Sequence, residues 1–323
     1  MGTASSAGTV APSAGAVSSL SGSASDLGMG PTDHLAPLEL AVVEALTYAD
    51  LFDWPLTPAE IHRYLPVPAR PDEVGVALAS PRLRGRASIV DGLAVLAGRE
   101  QLAAERRRRS AISARLWPSA VRSARVVASL PFVRLVAISG SLAVGAAESG
   151  ADVDLFVVTE AGRVWLTRGM TVGVVRLAAL RGVRLCPNYL LAESALELPE
   201  RDLFTAHELL QMVPVAGGAT YRALLDRNAW SRAFLPNHGG QPVPADGRRG
   251  LPRRAVERAL RLSLFDPAER LEMRRAGARL SRGATSGEQR FDESACKGHF
   301  GEHRRRSLEA FNGRVDRAGA AVA

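Results

Sequence analysis

Two aspartates one residue apart, Asp152 and Asp154, open the apolar run Asp152-Val153-Asp154-Leu155-Phe156-Val157-Val158. In a strand, residues two apart share a face. The two carboxylates then project together while Val153 and Leu155 turn into a core. Two ionised carboxylates side by side repel, and a divalent cation removes that cost. Mg²⁺ favours carboxylate and phosphate oxygens. Upstream lies Ser139-Gly140-Ser141, with ten residues between Ser141 and Asp152. A glycine–serine turn between a strand and a helix offers backbone N–H groups, the helix N-terminus and the Ser141 hydroxyl to a phosphate. An Asp-x-Asp pair alone reads as a solvated strand start, and a Gly-Ser turn alone is common. Together they point to a metal-bound phosphate.

For these groups to meet, the chain must bring a turn and a strand start to one place. Val133 to Ile138 is a short apolar strand that feeds the turn, and Leu142 to Ala147 continues from it. Residues 131–240 then read strand, helix, strand, helix, strand and further helices. They are electrically balanced, with ten Arg against ten Asp and Glu. The third strand is expected over Val183 to Ala192, through Cys186-Pro187-Asn188-Tyr189-Leu190-Leu191.

Gly140-Ser141, ten residues, then Asp152-Val153-Asp154 resembles the signature of the DNA polymerase beta-like nucleotidyltransferase superfamily. The resemblance covers about 20 residues of motif, and the strand and helix pattern of 131–192 agrees with it. It implies a small mixed α/β (α+β) sheet flanked by helices. It implies that Gly140 and Ser141 bind the β- and γ-phosphates of a nucleoside triphosphate such as ATP. Asp152 and Asp154 would be the metal ligands, for Mg²⁺ or Mn²⁺. The family's third carboxylate comes from the next strand, where Asn188 stands here as the third catalytic position. Glu193, an odd number of residues further, would face the other way in an undistorted strand. Family members often carry Arg after the turn and Ser before the first Asp; Val144 and Ala151 occupy those places.

Residues 1–35, rich in Ala, Ser, Gly and Thr and free of Lys and Arg, are expected to be a disordered tail. They lack the basic start of a secretory signal and the arginines of a transit peptide. Residues 36–98 are expected to form a winged helix-turn-helix-like domain. Thr57-Pro58-Ala59-Glu60 is a helix start with a capping box, Pro71-Asp72-Glu73 opens another, and Asp91-Gly92 is a two-residue hairpin turn. In overall form this unit, with the C-terminal helices, looks like an uncharacterised prokaryotic group of such proteins. Residues 99–130 hold eight Arg against two Glu, with a run at Arg106 to Arg109. They read as a basic helical connector, either solvated or facing a phosphate-bearing substrate. Residues 241–323 are expected to be a C-terminal helical region.

The 323 residues carry a net charge of +8, and Lys297 is the only lysine among 41 basic residues. Basicity of this size permits nucleotides or nucleic acid as partners. Cys186 and Cys296 give no disulfide framework, so a cytoplasmic location is expected. No apolar run is long enough to span a bilayer, which excludes an integral membrane protein built on helices. Cys296, His299 and His303 have spacings a metal could use but lack a clear fourth ligand, and a helix with exposed histidines is the plainer reading. The expected function is Mg²⁺-dependent transfer of a nucleoside monophosphate from an NTP to an unidentified acceptor hydroxyl. The alternative is a catalytically impaired regulator of the same fold, or a nucleic-acid-binding module. A third reading is a partnered, toxin–antitoxin-like role in which the helices dock another protein.

Overall fold

The computed structural model of the chain describes residues 35–245, 251–261, 265–282, 289–298 and 300–320. The expected tail lies, apart from Leu35, outside the described residues, and so does His299.

Three helices come first: α1 (Pro37–Asp50), α2 (Pro58–Tyr64) and α3 (Pro71–Leu78). At the start of α2 the Thr57 hydroxyl accepts from the Glu60 N–H at 3.2 Å, and Glu60 accepts from the Thr57 N–H at 2.8 Å. That reciprocal pair satisfies two donors that a helix end otherwise leaves open. A hairpin follows, β1 (Ala87–Val90) and β2 (Leu93–Leu96). Its turn residues Asp91 and Gly92 have φ of 52° and 77°, as a two-residue hairpin loop of the twist-matching type requires. Val42, Ile61, Leu65 and Val74 form the unit's core, and Ala146 packs into it.

Helix α4 (Leu102–Ser129) runs 28 residues across the sheet. The arginine run expected there divides by helical position. Arg106 bonds Glu60 at 2.9 Å and also the Pro55 carbonyl, and buried Arg109 donates to the Ala146 carbonyl at 2.9 Å. Arg107 and Arg108, on the outside, pair with Asp91 and Glu105. The run joins α4 to its neighbours; it is not an open basic face.

Then come β3 (Val133–Ser139), α5 (Gly140–Ala143), β4 (Val153–Thr159), α6 (Val164–Ala179) and β5 (Leu185–Ala192). After them lie α7 (Leu203–Gln211), β6 (Val213–Ala216), α8 (Gly218–Arg227) and α9 (Ser231–Phe234). The chain ends with α10 (Leu251–Leu260), α11 (Asp266–Ser281), β7 (Arg290–Phe291), β8 (Ala295–Lys297) and α12 (Phe300–Ala320). The strands form one mixed sheet in the order β6-β3-β4-β5-β8-β7. Only β4 and β5 run parallel. Helices cover both faces. Val153, Leu155 and Val157 turn toward α4, α6 and α11, whereas Phe156 and Val158 turn toward α7 and α8.

The C-terminal region departs from the all-helical expectation. Strands β7 and β8 complete the sheet, and Cys296, expected on a helix, is buried in β8 opposite Leu190. Segments of two and three residues show no periodicity of their own; the open edge of β5 creates them. Among the described residues no helix is long and apolar enough to cross a membrane.

Candidate active site

The antiparallel register of β3 and β4 sets Ser139 opposite Asp154. The turn that ends β3 therefore lies beside the strand start that carries the acids. Gly140 has φ of 65°, in the left-handed region that favours glycine. A Cβ placed on Gly140 would sit 2.5 Å from Asp154 Oδ2 and 3.3 Å from its Cγ. The Asp154 carboxylate thus lies against the bare Cα of the turn. Glycine is required there twice over, for its backbone angle and for its missing side chain. The turn is held from behind as well: the Ser113 hydroxyl on α4 accepts from the Ala147 N–H at 2.9 Å.

Asp152 stands just before β4, with about half of its side chain exposed, and meets Arg184 Nε at 2.8 Å. Arg184 is also exposed, so the pair is weak and exchangeable. Backbone bonding fixes the two segments, since the Arg184 carbonyl accepts from the Val153 N–H at 2.7 Å.

Asn188 does not fall beside the acids. The β4–β5 register pairs Asp154 with Cys186 and then Phe156 with Tyr189, so an extra residue bulges out of β5 between them. Tyr189 shares the face of Phe156, and Asn188 lies within the bulged stretch before it, unpaired with Asp154. Its Oδ1 is buried without a hydrogen-bond partner. In its place the Cys186 thiol hydrogen-bonds Asp154. Burial first, then the charges of Asp154 and Asp152, push that thiol up to about 12. Both effects favour the neutral thiol. Glu193 lies toward the opposite end of β5, near Arg134 at 3.4 Å.

A narrow cleft, with about 40 Å³ of interior space, opens on the face that Asp154 shares. Phe156, Tyr189, Phe204 and Met212 give it an apolar wall. Ser139 also lines it, only 4% exposed, and its Oγ has no hydrogen-bond partner. Half-buried Glu208 on α7 is pushed up to about 7, chiefly by desolvation and then by the Asp154 charge, with Lys297 opposing. Lys297 is buried on β8 and binds Glu200 at 2.5 Å. Sequence reasoning missed Ser139, Cys186 and Glu208 because strand register and helix docking bring them in. Lys297 did carry a signal, as the one lysine in an arginine-rich chain.

Among the described residues no group of three or more His, Cys, Asp and Glu stands arranged for a metal. The donors at this edge are oxygens, two carboxylates with an unpartnered buried hydroxyl in the adjoining cleft, and that chemistry fits a hard cation such as Mg²⁺. Comparison with known proteins gives no match: no family model, no curated protein and no solved structure is similar to the chain.

Proposed function

We propose that the chain is a Mg²⁺-dependent nucleotidyltransferase, passing a nucleoside monophosphate from an NTP to an acceptor hydroxyl. The observation that carries this reading is the contact between the Gly140 Cα and the Asp154 carboxylate. It sets the turn that would receive phosphate oxygens against Asp154, one of the two acids that would hold the cation. In this reading the sheet is a nucleotidyltransferase sheet, and α1 to α3 with the hairpin are a winged helix-turn-helix. The exposed side of α3 carries Asp72 and Val76, a poor surface for a nucleic-acid backbone.

The residues have separate tasks. The Gly140 and Ser141 N–H groups and the Ser141 hydroxyl would receive the β- and γ-phosphates. Asp152 and Asp154 would hold one or two Mg²⁺, which neutralise charge on the transferring phosphoryl group. Once Asp152 turns to the cation, Arg184 is released to face a phosphate oxygen. The Cys186 thiol steadies Asp154. The acceptor would enter by the cleft, where Ser139 would meet its hydroxyl and Glu208 would take its proton. The new bond joins that oxygen to the α-phosphorus, and pyrophosphate leaves with the bonding pair.

The test is incubation with α-labelled ATP, GTP, CTP or UTP, Mg²⁺ and candidate acceptors. Asp152→Asn with Asp154→Asn should abolish transfer while circular dichroism stays unchanged. Transfer that survives the double change defeats the assignment. One observation favours the impaired alternative: β5 brings a thiol, not a carboxylate, beside Asp154. That alternative predicts Mg²⁺-dependent NTP binding without turnover.

A further inference from the structure

Helix α7 has a cavity on each side. Thr205, Glu208 and Leu209 face the cleft described above, and Leu203 and His207, one turn apart, face a second cavity of about 160 Å³. This second space lies among α1, α7, α9 and α12, away from the acid pair. Its walls are aromatic: Tyr48, Tyr64, Phe234 and Phe311 line it together with His207.

The rings stand in three orientations. Tyr48 and His207 stack with centroids 4.0 Å apart and planes 10° from parallel. Phe311 meets Tyr48 nearly at right angles, 5.7 Å away and at 74°. Tyr64 is tilted 50° from His207 at 5.0 Å. These rings pack on one another along the cavity wall. Aromatic faces carry negative potential and attract cations.

The charge in the lining agrees. Glu44 contributes the one carboxylate of the wall, and among the described residues no ion pair answers it. Burial raises its pKa, the mark of a carboxylate short of a counter-charge. His207 adds no opposing charge, because burial and His238 hold it near 3. Asp202 and Glu208 also bear on Tyr48, while Glu60, Arg63 and Arg106 bear on Tyr64.

We infer that this cavity is a binding site for a small organic cation, a methylated ammonium compound, held by the rings of Tyr48, Tyr64 and Phe311 and by the Glu44 carboxylate. About 160 Å³ lies open within it, which suits a compact head group. The site is independent of the phosphate chemistry proposed above.

The test titrates the full chain calorimetrically with choline chloride and with its neutral isostere, 3,3-dimethylbutan-1-ol. Choline should bind at least about tenfold more tightly. Glu44→Gln should weaken choline at least about tenfold and leave the isostere unchanged. Phe311→Leu, checked for an unaltered melting temperature, should weaken choline as well. Equal binding of the two compounds, or choline binding indifferent to Glu44→Gln, overturns the inference. A peptide carrying trimethyl-lysine serves as a further arm: its binding while choline remains inert overturns the assignment to a free compound.

Discussion

Replacing Gly140 by alanine should separate two costs that the structure places at one residue. The first is the backbone angle: an L-residue in the left-handed region costs about 1–2 kcal/mol. A less flexible unfolded chain returns about 0.4–1 kcal/mol. Gly145 is the control, since its φ is 78° and a Cβ there meets nothing within 4 Å. Gly145→Ala should therefore cost about 1 kcal/mol. The second cost belongs to Gly140 alone. Its new methyl would lie 2.5 Å from Asp154 Oδ2, so the carboxylate must swing away from the Cys186 thiol. Overpacking and a lost hydrogen bond add about 1–2 kcal/mol. Gly140→Ala should total about 2–3 kcal/mol by the sum of these terms. In an Asp154→Ala background the cost should fall back to about 1 kcal/mol, a coupling of about 1–2 kcal/mol. Urea unfolding of the four chains of this cycle, with Gly145→Ala beside them, measures it. If Gly140→Ala costs no more than Gly145→Ala, or if Asp154→Ala leaves its cost unchanged, the turn and the acid are not in contact.

Further outcomes follow from other residues. Ser139→Ala removes a buried hydroxyl that has no partner, so stability should change by less than about 1 kcal/mol, while transfer to the acceptor falls. Lys297→Met should cost about 3 kcal/mol by leaving Glu200 unpaired. Adding Glu200→Leu should recover most of that in the same denaturation assay. His207 has its pKa lowered to about 3 from an ordinary 6.5. The unfolded chain therefore binds the proton first, and stability declines as pH falls from about 6.5 toward 3. His207→Phe should remove about 2 kcal/mol of that decline at pH 5, read as the difference between melts at pH 7 and pH 5.

Local chemistry made part of the fold legible before any coordinates. Thr57 and Glu60 announce a helix start, Asp91-Gly92 announces a hairpin, and the runs beginning at Val133 and Val153 become neighbouring strands. Each signal lies within a few residues of the structure it sets. Asn188 shows where that limit falls. The family pattern puts the third position at Asn188, but the strand register pairs Cys186 with Asp154, and the bulge falls just after that pair. Strands β7 and β8 were hidden for a different reason: they exist only as partners for the edge of β5. Glu208 reaches the site because α7 docks on the sheet, which no local pattern encodes.

A crystal grown with a non-hydrolysable NTP analogue and Mn²⁺ tests the central claim most directly. Anomalous density should appear between the carboxylates of Asp152 and Asp154, with the triphosphate on the Gly140-Ser141 turn and Arg184 turned away from Asp152. Manganese elsewhere, or a nucleotide bound while Asp152 still holds Arg184, would contradict the account.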